Sequence, residues 1–243
     1  MTAMIHKGNA PFEANRRFYM AGAGLVYGFG VCVMLGKVVD GILGWYGPQL
    51  ELAQVVLFFA LGAVCLELGK YLYGQYALLS AGRRGESEAL GLLQHLPEGY
   101  HVFTNLASQA DGMRGEIDAL VVGKNGIFAV EVKNHRGEIV TGEGDWQQKK
   151  ISRGGAVYIR PMRNPIKQMK RNIYILSVRL KEAGVHAWID GMVYMANPEV
   201  SMQQVPNQCT CSGEGLLRYI QGYRPRQYLD ERAVAKIVNV LRA

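Results

Sequence analysis

Two carboxylates and one amine are spaced in this sequence so that a β-hairpin would bring them together. Asp118 lies in one apolar run, and Glu131 and Lys133 lie at the end of the next run. The turn between the runs, Gly123-Lys124-Asn125-Gly126, contains Asn-Gly, which is a strong hairpin signal. Glu131 and Lys133 are two residues apart, so both point to the same face of their strand. Ionised groups beside apolar strands are costly unless they are paired or bind a metal. A divalent cation held by the two carboxylates, with the lysine beside it, would explain this arrangement.

The triplet belongs to a longer series of sequence pieces in a fixed order. Ile117-Asp118 and Glu131-x-Lys133 resemble the core signature of the PD-(D/E)xK nucleases, and the whole series resembles one branch of them, the nuclease-related domain (NERD). The matching pieces are Gly85-Glu86, Ile117-Asp118, Gly126-Ile127-Phe128, Glu131-Val132-Lys133-Asn134, Gly137, Trp146 and Asn164-Pro165-Ile166-x-Gln168. The resemblance covers roughly residues 82–200. It implies nuclease chemistry with Mg²⁺ or Mn²⁺ as the cofactor.

The resemblance also implies roles for the hairpin residues. Asp118 and Glu131 would be the metal ligands, because hard divalent cations prefer carboxylate oxygen, and the backbone carbonyl of Val132 would be a further ligand. The bound metal would polarise the phosphate and lower the pKa of a water. Lys133 would orient that water or neutralise the charge that develops on phosphorus. The alternative is a surface-exposed hairpin end with an ordinary Glu–Lys strand face.

Two residues on helices complete the predicted catalytic set. Glu86 corresponds to the family's helix glutamate and would bind the metal directly or through water; Glu88 is its competitor for that position. Alternatively, Glu86 is an acid favoured near a helix N-terminus by the helix dipole. Gln168 corresponds to the family's glutamine on the later helix, where its amide would hold a phosphate or a water. The alternative is an ordinary polar residue on that helix.

A basic cluster lies between the hairpin and the helix that begins at Asn164-Pro165. Three of its members are spaced by three and four residues, so they share one helix face: Lys167, Lys170 and Arg171. We expect this surface to follow a phosphate backbone, and the alternative is a face that touches anionic lipid. The predicted nucleic-acid-binding residues are Lys149, Lys150, Arg163, Lys167, Lys170 and Arg171, and Arg153 and Arg160 lie in the same cluster.

Two ring-bearing residues follow the hairpin in the sequence, His135 and Trp146. His135 follows the Glu131-x-Lys133 element, and we expect it to be a solvated loop residue. The alternative is a contact to phosphate. Trp146 is expected to anchor the core or a lid in preference to stacking on a base.

Charge and cysteine content limit the class of protein. The chain has 243 residues, 49% of them hydrophobic, and a net charge of +7. From Ser80 onward, 22 Lys and Arg face 16 Asp and Glu, so this part carries +6. The excess favours an anionic partner such as nucleic acid or anionic lipid. Four cysteines are too few for a disulfide scaffold, so we expect free thiols in a reducing compartment.

Two apolar segments near the beginning of the sequence predict a membrane anchor. Phe18 to Gly36 is uncharged for 19 residues, and a second uncharged run extends from Leu52 to Leu66. The second run continues through Glu67 and Lys70, which are one helical turn apart and can pair. We predict an anchor over residues 1–79, with transmembrane helices at about 18–40 and 50–73. The alternatives are a signal peptide or a buried helical hairpin.

Residues between and around these spans refine the prediction. Trp45-Tyr46-Gly47-Pro48 would form an aromatic belt and a turn. Five glycines of the first span would allow close helix approach and self-association, or they are filler: Gly22, Gly24, Gly28, Gly30 and Gly36. Basic residues flank the two uncharged runs: Lys7, Arg16 and Arg17 precede the first, and Lys70, Arg83 and Arg84 follow the second. The connecting loop, with Lys37, Asp40 and Glu51, is poor in positive charge. By the positive-inside rule, both termini lie in the cytoplasm, and the protein is a multi-pass protein of the inner (cytoplasmic) membrane.

The elements after the anchor predict an α/β domain over residues 80–243. A basic linker at 82–85 leads to a helix over 86–96, a first strand from Tyr100, a polar loop over 107–116 and the central hairpin. Further elements are a strand at 139–140, a meander over 146–159, a helix from Pro165 to Leu180, a strand over 188–195 and helices over 215–221 and 229–241. The fold class is an N-terminal transmembrane helical hairpin followed by a restriction-endonuclease-like mixed sheet flanked by helices.

The sequence thus predicts a membrane-anchored, Mg²⁺-dependent nuclease on the cytoplasmic face that hydrolyses phosphodiester bonds, of DNA more readily than of RNA. The expected partners are nucleic acid, membrane lipid and a second copy of the chain. The alternative is a nuclease-like module without catalysis, which binds nucleic acid or docks a partner at the membrane.

Overall fold

The protein is seen in a computed structural model that describes residues 2–8, 12–43, 52–152, 154–225 and 228–242. The chain forms two compact units: one is Ala10–Ala81, and the other combines Met1–Asn9 with Gly82–Ala243. The first elements are β1 (Met4–Lys7), α1 (Phe12–Leu43), α2 (Leu52–Leu93), β2 (His101–Ala110), β3 (Met113–Gly123) and β4 (Gly126–Lys133). They are followed by β5 (Gly137–Val140), β6 (Trp146–Ile151), β7 (Val157–Met162), α3 (Pro165–Glu182), β8 (Ile189–Met195), β9 (Val200–Met202), β10 (Cys209–Thr210), α4 (Gly213–Gly222) and α5 (Glu231–Arg242).

The unit Ala10–Ala81 is built from α1 and most of α2. Segments within these helices are long and apolar enough to cross a membrane, by length and composition: Ala14–Gly36 and Val56–Leu93. The side chain of Lys70 donates to Glu67 one turn away, which is the pairing expected for these two charges. The predicted turn Trp45-Tyr46-Gly47-Pro48 lies outside the described residues.

Small residues set the contact between these two helices. A Cβ added at Gly30 would lie 3.0 Å from the Cβ of Cys65, and one added at Gly62 would lie 2.7 Å from the side chain of Met34. By contrast, Gly24, Gly28 and Gly36 have nothing within 4 Å of such a Cβ. Close approach therefore depends on glycines of both helices, and only part of the glycine series in α1 contributes to it.

The second unit is organised around a six-stranded mixed sheet in the order β1-β2-β3-β4-β8-β10. The central strands β2, β3 and β4 are antiparallel neighbours, whereas β1, β8 and β10 join in parallel. Helices cover both faces, and each face has its own apolar core. On one face, Leu93 of α2 and Leu216 of α4 pack near Val130. On the other, Leu176 of α3 and Ile237 of α5 pack near Ala129. This confirms the predicted α/β class with a mixed sheet between helices.

A smaller four-stranded sheet, in the order β7-β6-β5-β9, follows the central hairpin. Its inner side forms a third core in which Trp146 and Ile139 lie close to Met169 of α3. Asn164 caps α3, since its side chain accepts hydrogen bonds from the backbone N–H groups of Ile166 and Lys167. The predicted start of this helix at Asn164-Pro165 is therefore correct.

Three predicted boundaries differ from the structure. The expected linker at 82–85 is helical and belongs to α2, because the apolar periodicity of residues 86–93 continues the preceding helix without a break. The expected loop over 107–116 is instead a β-hairpin of β2 and β3 around the turn Asp111-Gly112, where both residues have positive φ. Met4–Lys7, assigned to the anchor from the sequence, pairs with β2 as strand β1.

Candidate active site

Strand β3 stops pairing with β4 at Asp118. Its pairing with β4 runs from the turn to Ala119↔Val130 and is not continued at Asp118, whereas β4 continues beside β8 as far as Lys133. Its pairing with β2 is interrupted at the same place, between Thr104↔Ala119 and Leu106↔Ile117. Strands β3 and β4 therefore separate here, and space opens between them within an otherwise continuous sheet.

A backbone distortion on the neighbouring strand accompanies this interruption. Asn105 of β2 has φ of 51°, a left-handed conformation that is uncommon inside a strand. It lies opposite Asp118, at the position where the ladder of hydrogen bonds is broken. Asn is one of the few residues with a side chain that adopts this conformation at low cost. The local sequence therefore permits the kink that frees the Asp118 backbone from the sheet.

The side chain of Asp118 replaces the missing strand contact. Its Oδ2 accepts the backbone N–H of Val132 at 2.7 Å. Burial raises the pKa of Asp118, while this hydrogen bond and the nearby charge of Lys133 lower it. The carboxylate therefore bridges the separating strands and lies beside the backbone of the Glu131-Val132-Lys133 segment.

Glu131 and Lys133 form the centre of the site. The Lys133 ammonium donates to Glu131 Oε1 at 2.6 Å and to Gln168 Oε1 of α3 at 3.2 Å. Glu131 is 2% exposed. Burial, followed by the charge of Asp118, raises the pKa of Glu131 to about 7, although Lys133 opposes that rise. The structure thus brings together four of the residues predicted from the sequence.

Glu86 and Glu88 are the two candidates for the helix glutamate of the site, and Glu86 is the one whose pKa responds to the charges of the site residues. Burial raises the pKa of Glu86, and the charges of Asp118 and Glu116 raise it further. Glu88 instead accepts a hydrogen bond from the Tyr194 hydroxyl at 2.8 Å. The structure therefore places Glu86 with the hairpin acids and directs Glu88 to β8.

Gly85 explains how the helix comes so close. A Cβ at this position would lie 2.8 Å from the Cβ of Asn134 and 3.4 Å from Val132. Real Cβ atoms do not approach one another so closely, so any side chain at residue 85 would push α2 away from the end of β4. The glycine allows the next residue, Glu86, to reach the acidic cluster.

Glu116 is a fourth acid that the sequence reading did not single out. It lies in β3 two residues before Asp118, and its pKa is raised by burial and by the Asp118 charge. Its backbone carbonyl accepts a hydrogen bond from Asn172 of α3 at 2.6 Å. The signal available in the sequence was the alternation Glu116-x-Asp118, which the predicted loop over 107–116 concealed. We define the acidic cluster as Glu86, Glu116, Asp118 and Glu131.

The predicted basic residues fall into separate groups. Lys167, Lys170 and Arg171 are exposed on α3, and Arg163 is exposed just before that helix. Lys149 and Lys150 are neighbours in β6 and therefore point to opposite faces of the sheet. The Lys149 ammonium lies 3.4 Å from Glu138 Oε2. Arg153 lies outside the described residues.

The two ring-bearing residues differ in burial. Trp146 is 1% exposed in the third core, and its indole N–H donates to the Gly142 carbonyl. The expected core role therefore agrees with its position. His135 is partly buried, and its pKa is lowered by burial and by the charges of Lys133 and Lys150. Its position thus differs from that of a fully solvated loop residue.

The donor set at the site fits a small hard cation. Asp118 and Glu131 supply two largely buried carboxylates, and the Val132 carbonyl belongs to the residue between Glu131 and Lys133. Mg²⁺ binds through one or two carboxylates and retains several waters, so this set suffices for it. Within the described part of the chain, no group of three or more His, Cys, Asp and Glu side chains forms a ready metal site.

Comparison with known proteins supports the same region of the chain. Residues 81–196 match the family model of the nuclease-related domain. The match includes α2 from residue 81, the central hairpin, the smaller sheet except β9, and α3. It confirms the predicted family and its approximate span. No curated protein and no solved structure matches the chain.

Proposed function

This chain carries a nuclease-related domain over residues 81–196, and from that premise we propose that it hydrolyses phosphodiester bonds of nucleic acid, with DNA preferred to RNA. The observation that carries the proposal is the convergence of the acidic cluster on Lys133 where β3 and β4 separate. The four acids with raised pKa values lie near one another, and the cations that oppose the rise are Lys133, at Glu86, Asp118 and Glu131, and Arg83, at Glu86. The acids therefore outnumber these two cations. A divalent cation and a phosphate are the ligands that such a site would bind most favourably.

Each residue then has a role that follows from its contacts. Asp118, Glu131 and the Val132 carbonyl would hold Mg²⁺ or Mn²⁺. When bound, the cation would polarise the scissile phosphate and lower the pKa of a water. Asp118 also fixes the backbone of Val132 through its hydrogen bond, so this one contact positions both the Asp118 carboxylate and the Val132 carbonyl.

Lys133 would act on the substrate directly. Its ammonium is held by Glu131 and Gln168, so it is oriented before a substrate binds. In this position it can stabilise the negative charge that develops on the phosphate oxygens. The Gln168 amide N–H₂ group would donate to a phosphate oxygen, and Glu86 would accept a hydrogen bond from a water at the edge of the site.

We further propose that the domain faces the cytoplasm. Strand β1 precedes α1 in the chain, and its partner β2 follows α2, so segments from both sides of the helical pair belong to one sheet. The two candidate spans would then cross the membrane an even number of times. The basic residues that flank the uncharged runs of these helices favour the cytoplasmic side for both segments.

Cleavage assays with the purified full chain in detergent test the activity. We expect Mg²⁺- or Mn²⁺-dependent cutting of circular, linear or single-stranded DNA, and weaker cutting of RNA. Asp118→Asn keeps a carbonyl oxygen for Val132 N–H but removes the charge, and we expect it to lower the cleavage rate on the order of 10³-fold. Asp145→Asn, at an exposed acid outside the cluster, is the matched control.

A second measurement tests the cation without relying on activity. Isothermal titration with Mg²⁺ and with Mn²⁺ should show one site in the wild type and no heat of binding in Asp118→Asn. Cation binding should also raise the melting temperature of the wild type alone. Cutting that survives in Asp118→Asn would contradict the proposed mechanism. Nucleic-acid binding without cutting in either metal would favour the non-catalytic module.

A further inference from the structure

The hairpin of β6 and β7 presents two chemically different faces. Cross-strand pairs Gln148↔Arg160 and Lys150↔Tyr158 place these four side chains on one face, which we call the arm face. The same face continues inward to Trp146 and Met162, which are buried in the third core. Its inner half is therefore fixed against the domain, and its outer half carries two cations and an aromatic ring.

The opposite face of the hairpin is aliphatic. Ile151, Val157 and Ile159 are 76%, 64% and 56% exposed there. They share this face with Lys149, whose charge lies beside Glu138 of β5. The two adjacent lysines of β6 consequently differ: Lys149 has an acid partner, whereas Lys150 is on the arm face. The sequence predicts nucleic-acid binding for both, and the binding surface proposed below includes Lys150 without Lys149.

The charges of the arm face repel one another. The pKa of Lys150 is lowered by burial and by the charges of Arg160 and Arg136. Among the described residues, no acid forms an ion pair with any of these three side chains. A bound anion would relieve this repulsion, and successive phosphates of a nucleic-acid strand supply one at regular intervals.

Tyr158 adds an aromatic surface to these cations. The Arg160 guanidinium lies 5.5 Å from the centroid of the Tyr158 ring, and Tyr158 is 39% exposed. Aromatic rings next to cations that contact phosphates are the combination by which proteins bind unpaired nucleic-acid strands. The buried Trp146 cannot provide such a surface, so Tyr158 is the aromatic residue of this hairpin that a base can reach.

Contacts through His135 connect the arm face to the active site. The Gln148 amide donates to the Arg136 carbonyl at 2.8 Å, and the same side chain hydrogen-bonds to His135. The His135 ring in turn lies within the electrostatic range of both Lys133 and Lys150. Lys133 of the proposed active site and Lys150 of the arm face thus have His135 as a common neighbour.

We propose that the arm face binds a single-stranded segment of the nucleic acid adjacent to the scissile phosphate, with Lys150 and Arg160 at phosphates and Tyr158 stacked on an unpaired base. This assignment rests on the proposed nuclease function and deepens it by naming the strand form that the site accepts. Lipid is the other anionic partner, but the aliphatic side chains suited to a bilayer lie on the opposite face of the hairpin.

The test uses the full chain in detergent with Asp118→Asn as the parent, so that the nucleic acid stays intact, and EDTA to remove metal. Binding of a fluorescent 20-nucleotide single strand and of its duplex is followed by anisotropy over a range of salt concentrations. We expect Tyr158→Ala to weaken single-strand binding about tenfold and to affect duplex binding less. Lys150→Gln with Arg160→Gln should weaken binding at least as much and lower the salt dependence by about 1.4 in the logarithmic slope.

Two further lysine variants and a conservative exchange serve as comparisons. Lys149→Gln removes the same charge from the opposite face and should change binding less than about twofold, as should Lys181→Gln at the end of α3. Lys150→Arg with Arg160→Lys keeps the charges and should restore single-strand binding. Far-ultraviolet circular dichroism and thermal unfolding verify that each variant is folded.

Each outcome decides the proposal. Equal losses of binding for the single variants Lys149→Gln and Lys150→Gln would overturn the proposed role of the arm face. Unchanged binding in Tyr158→Ala and in Lys150→Gln with Arg160→Gln would overturn it as well. If the wild type still cuts DNA in that case, the nuclease function stands without it. If the parent binds no nucleic acid, both proposals fail. A photo-crosslinker at position 158 that labels lipid rather than DNA in nanodiscs would assign the face to the membrane and also overturn the proposal.

Discussion

This domain contains two separate groups of like charges, one acidic and one basic, and the two groups differ in how repulsion within them is relieved. The acidic cluster lies where β3 and β4 separate. The basic group consists of His6 on β1, His101 on β2 and Arg242 on α5. His6 Nε2 lies 3.3 Å from His101 Nδ1, and a guanidinium nitrogen of Arg242 lies 3.4 Å from His6 Nδ1. In both places, folding brings together groups that would repel one another if all were ionised.

The difference lies in how the repulsion is relieved. The histidines lose their protons near neutral pH, since burial and Arg242 lower the pKa of each, so the basic group becomes nearly uncharged except for the arginine. Burial raises the pKa of all four acids, and the Asp118 charge raises that of the other three. Lys133 opposes the rise at Glu86, Asp118 and Glu131, and Arg83 opposes it at Glu86. Acids whose pKa values are shifted both by burial and by specific charged neighbours are typical of functional sites, in agreement with the proposed cation site.

The largest effect on the acidic cluster should come from displacing the helix that carries Glu86. We expect Gly85→Val to lower the free energy of unfolding by about 1–3 kcal/mol, because its side chain overlaps Asn134 and Val132. Cleavage should fall as well. Gly91→Ala in the same helix meets nothing within 4 Å and should stabilise by about 0.5–1 kcal/mol. Chemical denaturation measures both, and equal behaviour of the two variants would refute the close approach.

Charge removal at the two helix glutamates tests which of them belongs to the acidic cluster. Glu86→Gln should lower cleavage about tenfold, since it takes one acid from the cluster and with it a hydrogen-bond acceptor for water. It should also leave the folded protein at least as stable, because a like charge is removed. Glu88→Gln should leave the cleavage rate unchanged, as its partner is Tyr194. Steady-state kinetics at saturating Mg²⁺ would decide, and a loss confined to the Glu88 variant would reverse the assignment.

The smallest effect concerns the basic group. Because the pKa values of His6 and His101 are lowered in the folded state, the unfolded chain binds protons at higher pH. The stability they contribute is complete above the ordinary histidine pKa of about 6.5 and is lost as the pH falls through the lowered values. Both rings are partly exposed, so solvent screening limits the contribution to a few tenths of a kcal/mol.

The corresponding experiment compares thermal unfolding at about pH 7.5 and pH 5.5. The wild type should lose more stability on acidification than the double variant His6→Gln, His101→Gln. A double variant with an equal or steeper loss would show that the pair is not a source of acid sensitivity.

The sequence was most informative where one local rule decided the outcome. Asn-Gly in the turn at 123–126 was sufficient to place the central hairpin, and the spacing of Glu131 and Lys133 placed them on one strand face. Asn164 with Pro165 was sufficient for the start of α3. These features depend on interactions within a few residues, so no knowledge of the rest of the fold was needed.

Features that depend on distant parts of the chain were not predictable in the same way. The role of Asn105 arises only because β2 lies beside β3 at Asp118. Glu116 was hidden because polar residues such as Gln109 and Arg114 favoured a loop, whereas pairing across Asp111-Gly112 makes that segment a hairpin. The opposite placement of Lys149 and Lys150 needed the register of β6 against both neighbours.

Strand β1 has a practical consequence for anyone who prepares this domain. It is synthesised before α1, yet its partner residues His101–Thr104 emerge roughly a hundred residues later, so the sheet is completed only after both helices have left the ribosome. A truncated fragment beginning near residue 80 would lack Met4–Lys7 and leave the β2 backbone unpaired along that edge. Exposed strand edges recruit other chains, so we expect such fragments to aggregate, whereas supplying residues 2–8 as a separate peptide should improve their solubility.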